Sequence, residues 1–157
     1  MKTLLLLRHA KSSWDDPGLD DHDRPLNKRG RRDAPRMGRL LLEEKLVPDE
    51  ILCSTAARAR ETAEEVKEAS GFAGDVRFSR TLYLAGSREI LAAVRTVAPA
   101  AGTAMVIGHN PGIEELLDTL TCAGKHLSTA ALARIELPIE RWRDIGPRTP
   151  GTLVQLW

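Results

Sequence analysis

Apolar residues in this chain fall into short unbroken runs that end abruptly in polar residues. Between those runs they recur every three or four positions. The runs are Leu4 to Leu7, Ile51 to Cys53 after Glu50, and Ala104 to Ile107. A strand covered on both faces has no side to show to water, so continuous runs of this length predict central strands of a sheet with helices on each side. Helical patterns follow: Ala56 to Ser70 after the second run and Ile113 to Thr121 after the third. A further helix is expected from Ser87 to Ala98, with Ile90, Leu91, Val94 and Val97 as its apolar stripe and Ser87 as its N-cap. Strand, polar loop and helix in repeated succession predict an α/β fold, a three-layer sandwich with a mainly parallel central sheet flanked by helices.

The segment from Asn27 to Lys45 is helical towards its end, but Gly30 and Pro35 interrupt its start. A proline inside a helix removes a backbone donor and crowds the preceding turn, so a kink is expected near Asp33 or Ala34. Ala130 to Leu137 and Thr152 to Trp157 read as strands of an antiparallel edge, separated by a loop from Pro138 to Pro150. With no internal repeat and no linker composition, residues 1–157 are expected to form one domain.

Charge narrows the partners. Lys and Arg number 23 against 22 Asp and Glu, a formal net charge of +1, so no long-range field draws the molecule to nucleic acid or to an anionic membrane. Cys53 and Cys122 cannot build a disulfide framework or a C-x-x-C site, which fits a reducing, cytoplasmic compartment. The leucines near the N-terminus stop at Arg8-His9, too short a run to export or to span a bilayer.

In open parallel sheets, ligands bind beyond the carboxyl ends of the strands. There the chain offers Arg8-His9, Ser54 to Arg58, and His109-Asn110. Two guanidiniums in one crevice match the oxygens of a phosphoryl group, and helix N-termini near Ala56 and Pro111 would add backbone donors. Nucleotide-binding loops of the G-x-x-x-x-G-K-[ST] or G-x-G-x-x-G kind are absent. A neutral His9, its pKa depressed by the arginines, can attack phosphorus and carry the phosphoryl group until water removes it. Arg8, Arg58 and His109 would bind the substrate's phosphate and stabilise the transferring group; no metal and no cofactor are called for.

These residues resemble a known family. Strand plus Arg8-His9-Ala10 is similar to the Arg-His-Gly opening of the histidine phosphatase superfamily, also called phosphoglycerate mutase-like. The stretch Ser54-Thr55-Ala56-Ala57-Arg58-Ala59-Arg60-Glu61-Thr62-Ala63 resembles its second motif, Ser-Pro-x-x-Arg-Ala-x-x-Thr-Ala. Val106-Ile107-Gly108-His109 resembles the third, and Pro25-Leu26-Asn27-Lys28-Arg29-Gly30 the helix start Leu-Thr-x-x-Gly. Short length and Arg-His-Ala-Lys-Ser resemble the compact SixA-type branch, described as phosphohistidine phosphatases. The resemblance implies a phosphorylated His9, with Arg8, Arg58 and His109 completing the phosphate pocket, and a phosphorylated protein or small phosphorylated molecule as partner.

Departures from the family pattern set further expectations. Ala10 replaces glycine, which is tolerable only at ordinary backbone angles. Asp15 follows Trp14 where mutases carry a phosphate-touching Asn, and would repel phosphate unless turned away. Phe78 to Leu84 lacks the carboxylic acid that many members place there; Glu89 comes next, and Asp15, Asp16, Asp20 or Asp23 could fold over the site. An alkoxide leaving group gains ~10²–10⁴-fold from a positioned acid, so its absence favours phosphohistidine or another labile donor. The alternatives are a small-molecule phosphomonoesterase or mutase of the same fold, and a phosphoprotein-binding module without turnover. A cysteine phosphatase fails on spacing, because Cys-x-x-x-x-x-Arg from Cys53 falls on Ala59. His22 and His126 read as solvated loop residues, Trp142 and Trp157 as packing, and the Lys28 to Arg39 basic segment as an exposed helix face.

Overall fold

Leu4 to Leu7 are all fully buried, because successive side chains of a strand point to opposite faces and here both faces are covered. The coordinates, a computed structural model, describe residues 1–157. The strands are β1 (Lys2–Arg8), β2 (Glu50–Ser54), β3 (Val76–Ser79), β4 (Thr103–Gly108), β5 (Leu132–Leu137) and β6 (Thr152–Leu156). They form one sheet in the order β3-β2-β4-β1-β5-β6. β1 to β4 run parallel, while β5 pairs antiparallel with β1 and β6 antiparallel with β5. The expected α/β sandwich and its antiparallel edge are both present.

Helices α1 (Lys28–Glu43), α2 (Ala57–Ser70), α3 (Ser87–Val94) and α4 (Gly112–Thr121) cover the sheet in pairs. Leu5, Leu7, Met105 and Ile107 pack with Leu41 of α1 and with Ala59, Ala63 and Val66 of α2. On the other face Leu4, Leu6, Ala104 and Val106 pack with Ile90, Leu91 and Val94 of α3 and with Ile113, Leu116 and Leu117 of α4. Each buried leucine contributes ~1.5–3 kcal/mol, so this two-sided core fixes the strand ends from which the site is built.

Some local expectations change. α1 is one helix with Pro35 inside it, so the proline does not end it, and its buried face includes Ala34, Gly38 and Leu41. Its start is capped by Asn27, whose side chain accepts from the Gly30 N–H at 2.9 Å. Ser87 is not the cap of α3: Gly86 is, and Glu89 accepts from its N–H at 3.1 Å. α3 ends at Val94 rather than Ala98. β3 was absent from the sequence pattern and forms an edge of the sheet.

Candidate active site

Arg8 closes β1 opposite Gly108, which closes β4, so the residues that follow leave the sheet side by side. The His9 N–H donates to the Gly108 carbonyl at 3.0 Å, and the His9 and His109 rings lie 5.1 Å apart. On the far side of β4, β2 ends at Ser54 and α2 begins at Ala57, which carries Arg58 into the same crevice. Arg8, His9, Arg58 and His109 all line one pocket of about 210 Å³, joined by Lys11, Ser12, Trp14, Arg24, Leu84, Asn110 and Thr129. Larger hollows of about 340 and 600 Å³ lie elsewhere and contain no histidine.

His9 is buried, and its Nδ1 lies 2.7 Å from the Ala10 carbonyl. A carbonyl can only accept, so Nδ1 carries the hydrogen and Nε2 keeps a free lone pair. Burial lowers the His9 pKa to about 4, helped by Arg58, Arg8 and Arg24, while the Ala10 carbonyl works the other way. The ring is therefore neutral at pH 7. Burial depresses it more than the arginines expected to do so. Ala10 is not among the residues with positive φ, so alanine fits where glycine is usual. Its N–H donates to Thr62 Oγ1 at 3.0 Å, and that hydroxyl donates to the Arg58 carbonyl at 2.7 Å, tying the His9 loop to α2.

His109 Nε2 is 2.8 Å from Ser54 Oγ, which also accepts from the Ala56 N–H. With the serine hydroxyl donating to Nε2, His109 Nδ1 becomes a hydrogen-bond donor. Burial first, then His9, Arg58 and Arg8, lower its pKa to about 3 against the opposing influence of Asp21. His109 Nδ1 and Arg8 Nε are both buried without a partner in the protein. A buried polar group left unpaired is costly, so an acceptor that reached these two atoms would be stabilising.

A model of the histidine phosphatase superfamily (branch 1) matches residues 4–82. The chain belongs to this superfamily. A Mycobacterium tuberculosis protein described as uncharacterised is 38% identical over 151 residues, covering 90% of this chain and 92% of that one. The SixA protein of Agrobacterium tumefaciens is 28% identical with a TM-score of 0.84, covering 99% of this chain and 97% of its own. The SixA protein of Nakamurella multipartitia is 29% identical with a TM-score of 0.86, covering 99% and 95%. These likenesses identify the SixA-type branch.

In this histidine phosphatase one pocket residue, Arg24, and several residues bonded to or packed beside the pocket arginines were not foreseen. Asp21 accepts from Arg58 Nη2 at 3.0 Å and from Arg24 Nη1 at 2.9 Å, its backbone carbonyl accepts from Arg58 Nη1 at 2.7 Å, and the Tyr83 hydroxyl donates to its carboxylate. The Tyr83 hydroxyl, followed by Arg58 and Arg24, lowers the Asp21 pKa to about 2. Arg24 is itself buried, with its Nε on the Ser13 carbonyl at 3.1 Å and the Trp14 ring stacked over it. Arg24 immediately precedes the Pro25 to Gly30 motif, and that adjacency was the available signal. His22 is half-buried rather than solvated: its Nε2 lies 2.8 Å from Thr55 Oγ1 and its ring packs edge-on against Tyr83. His126 is exposed, as expected, and paired with Glu114.

The carboxyl groups suggested as acids lie elsewhere. Asp15, Asp16, Asp20 and Asp23 are exposed and do not line the pocket, and Glu89 is occupied as the cap of α3. Asp15 is thus turned to solvent rather than into the pocket. Arg58, in the first turn of α2, lines the pocket, whereas Ala56 and Pro111 do not. Cys53 is buried outside it, with burial pushing its thiol pKa far up. No cluster of three or more His, Cys, Asp or Glu could hold a metal ion.

Proposed function

We propose that this histidine phosphatase acts without metal through a covalent phosphohistidine on His9, and that its substrate is a phosphohistidine protein or a similarly labile phosphoryl donor. The observation that carries this reading is the neutral His9, with its Nε2 lone pair free among Arg8, Arg24 and Arg58. The His9 Nε2–P bond forms as the bond from phosphorus to the substrate nitrogen breaks. When the substrate's phosphorylated ring carries a proton on its other nitrogen, the imidazole left by P–N cleavage departs neutral and needs no carboxylic acid. Water then attacks the phosphorus of phospho-His9, releasing inorganic phosphate and the imidazole. In both steps Arg8, Arg58 and His109 balance charge on the equatorial oxygens.

Two further features support a labile donor on a protein. The carboxylate bonded to the pocket arginines, Asp21, is held ionised and cannot deliver a proton at neutral pH. At about 210 Å³ the pocket is smaller than the ~300–1,000 Å³ common for small-molecule sites, so most of a substrate must stay outside. The SixA protein of Agrobacterium tumefaciens is itself described as a proposed phosphohistidine phosphatase. Cys53 and Cys122, both free thiols, accord with work in the cytoplasm.

The test is a panel of phosphohistidine protein, phosphoramidate and a sugar phosphate, run with wild type and His9→Ala in the presence of a chelator. Expected are the fastest turnover on phosphohistidine, acid-labile phosphate trapped on His9, and no turnover by the variant. Equal turnover by His9→Ala, or a preference for the sugar phosphate, overturns the reading.

A further inference from the structure

The mouth of the phosphate pocket carries two exposed apolar side chains from different parts of the chain. Trp14, in the loop after β1, is 72% exposed, and Leu84, between β3 and α3, is 56% exposed. Only four large apolar side chains of the whole chain are at least this open to solvent, so two on one small pocket is a concentration rather than scatter.

Both are held in place. One face of Trp14 lies over the Arg24 guanidinium at 3.3 Å, which leaves its other face to water. Leu84 has φ of 51°, a left-handed backbone that a side chain of its size rarely adopts. Its neighbours keep it there. The Tyr83 hydroxyl is tied to Asp21, and the Ala85 carbonyl presses so closely on Gly112 that a Cβ there would sit 1.7 Å from it. An apolar side chain fixed in an unfavourable backbone and turned to water gains nothing from the free molecule. It gains when a ligand covers it.

We propose that Trp14 and Leu84 form the leaving-group subsite of this enzyme, taking the imidazole ring of a phosphohistidine side chain on a polypeptide. This rests on the function proposed above and adds the residues that recognise what the phosphoryl group is attached to. A planar ring stacks on the open face of Trp14, and Leu84 offers aliphatic cover. Between them they offer a sugar at most one hydrogen bond, from the Trp14 indole N–H, so most of its hydroxyls would lose their water partners uncompensated. The remainder of the polypeptide stays beyond the mouth, as the pocket of about 210 Å³ requires.

The experiment compares kcat/KM for a phosphohistidine peptide with that for phosphoramidate, which has the same P–N bond and no ring. Wild type, Trp14→Ala, Trp14→Phe and Leu84→Ala are measured. The ratio of peptide to phosphoramidate should fall on the order of tenfold in Trp14→Ala, through KM, and less in Leu84→Ala; Trp14→Phe should recover most of it. A parallel loss on both substrates would mean that Trp14 acts through Arg24, and the proposal fails. So does an unchanged ratio in both alanine variants. Failure of the wild type to cleave the peptide at all sinks the proposed function instead. The ratio for phenyl over methyl phosphate then decides the ring subsite alone, supporting it if Trp14→Ala lowers that ratio and ending it if not.

Discussion

Replacing Asp21 with asparagine removes one negative charge from among Arg58, Arg24 and Tyr83 while keeping an oxygen of similar size there. Stability and anion affinity should then move in opposite directions. The carboxylate titrates at about 2 instead of an ordinary 3.8, a difference worth roughly 2.5 kcal/mol for a fully buried group. Its side chain is 43% exposed, and solvent screening reduces that to about 1 kcal/mol. Because the folded pKa is depressed, this stabilisation is complete above the unfolded value and is lost as pH falls towards 2. At pH 7 the variant should therefore melt about 3 °C lower, and the gap should close between 3.8 and about 2. Anion binding responds the other way. A phosphate on the free edge of Arg58 would sit roughly 7 Å from the carboxylate, and with an effective dielectric of about 40 the repulsion is about 1 kcal/mol per unit charge. Inorganic phosphate should inhibit the variant about tenfold more tightly, while kcat falls because Arg58 has lost the group that orients it. Melting by calorimetry and phosphate inhibition constants measure the two effects. A lowered melting temperature with unchanged or weaker inhibition would refute the electrostatic part of the reasoning.

Other outcomes follow from the same geometry. An NMR titration of the free enzyme should find the His9 imidazole changing protonation near pH 4; since its folded pKa lies below the unfolded 6.5, its own contribution to stability should fall by roughly 3 kcal/mol as pH drops from 6.5 to 4, and a midpoint near 6.5 would contradict this. Thr62→Val leaves the buried Ala10 N–H without an acceptor and should cost about 1–3 kcal/mol and lower kcat, whereas Thr62→Ser should restore both; a valine variant as stable as wild type would break the proposed tie between the His9 loop and α2. Gly112→Ala drives a Cβ into the Ala85 carbonyl and should destabilise by about 1–3 kcal/mol while disturbing Tyr83 and Leu84; unaltered melting and turnover would show that this packing does not position the mouth.

What the sequence disclosed depended on how each element is buried. β1, β2 and β4 are interior strands covered on both faces, and double burial leaves the continuous apolar runs that predicted them. β3 is an edge strand of Val76, Arg77, Phe78 and Ser79, none of them fully buried, so its apolar signal is two residues long and merges with the loop. Arg8, His9, Arg58 and His109 were legible because the ends of parallel strands are where sites form, and each follows a readable strand. Asp21 and Arg24 were not, because the loop from Lys11 to Asn27 has no periodicity. Its aspartates at 15, 16, 20, 21 and 23 look alike in sequence. Which of them meets Arg58 is decided by the short 3-10 turn Asp21–Asp23, and that turn is fixed by Arg24, Arg58 and Tyr83 from three different parts of the chain.

The same partition governs how charge is used. Over the whole chain the formal charge is only +1, yet Arg8, Lys11, Arg24 and Arg58 meet at a pocket whose bonded carboxylate is Asp21 alone, a local excess of three positive charges. Both histidines in the pocket are kept neutral, chiefly by burial, so they add nothing to that excess before substrate arrives. A phosphoryl dianion entering the pocket would offset most of it, and the same dianion would favour protonation of His109, turning a neutral donor into a charged one. Neutrality is thus what would let His9 serve as the nucleophile proposed for it, and the surrounding guanidiniums are placed to hold the product of that attack. Such a site answers to one phosphoryl group at contact and exerts little pull at a distance, which suits a client presenting a single phosphorylated side chain better than it suits a polyanion.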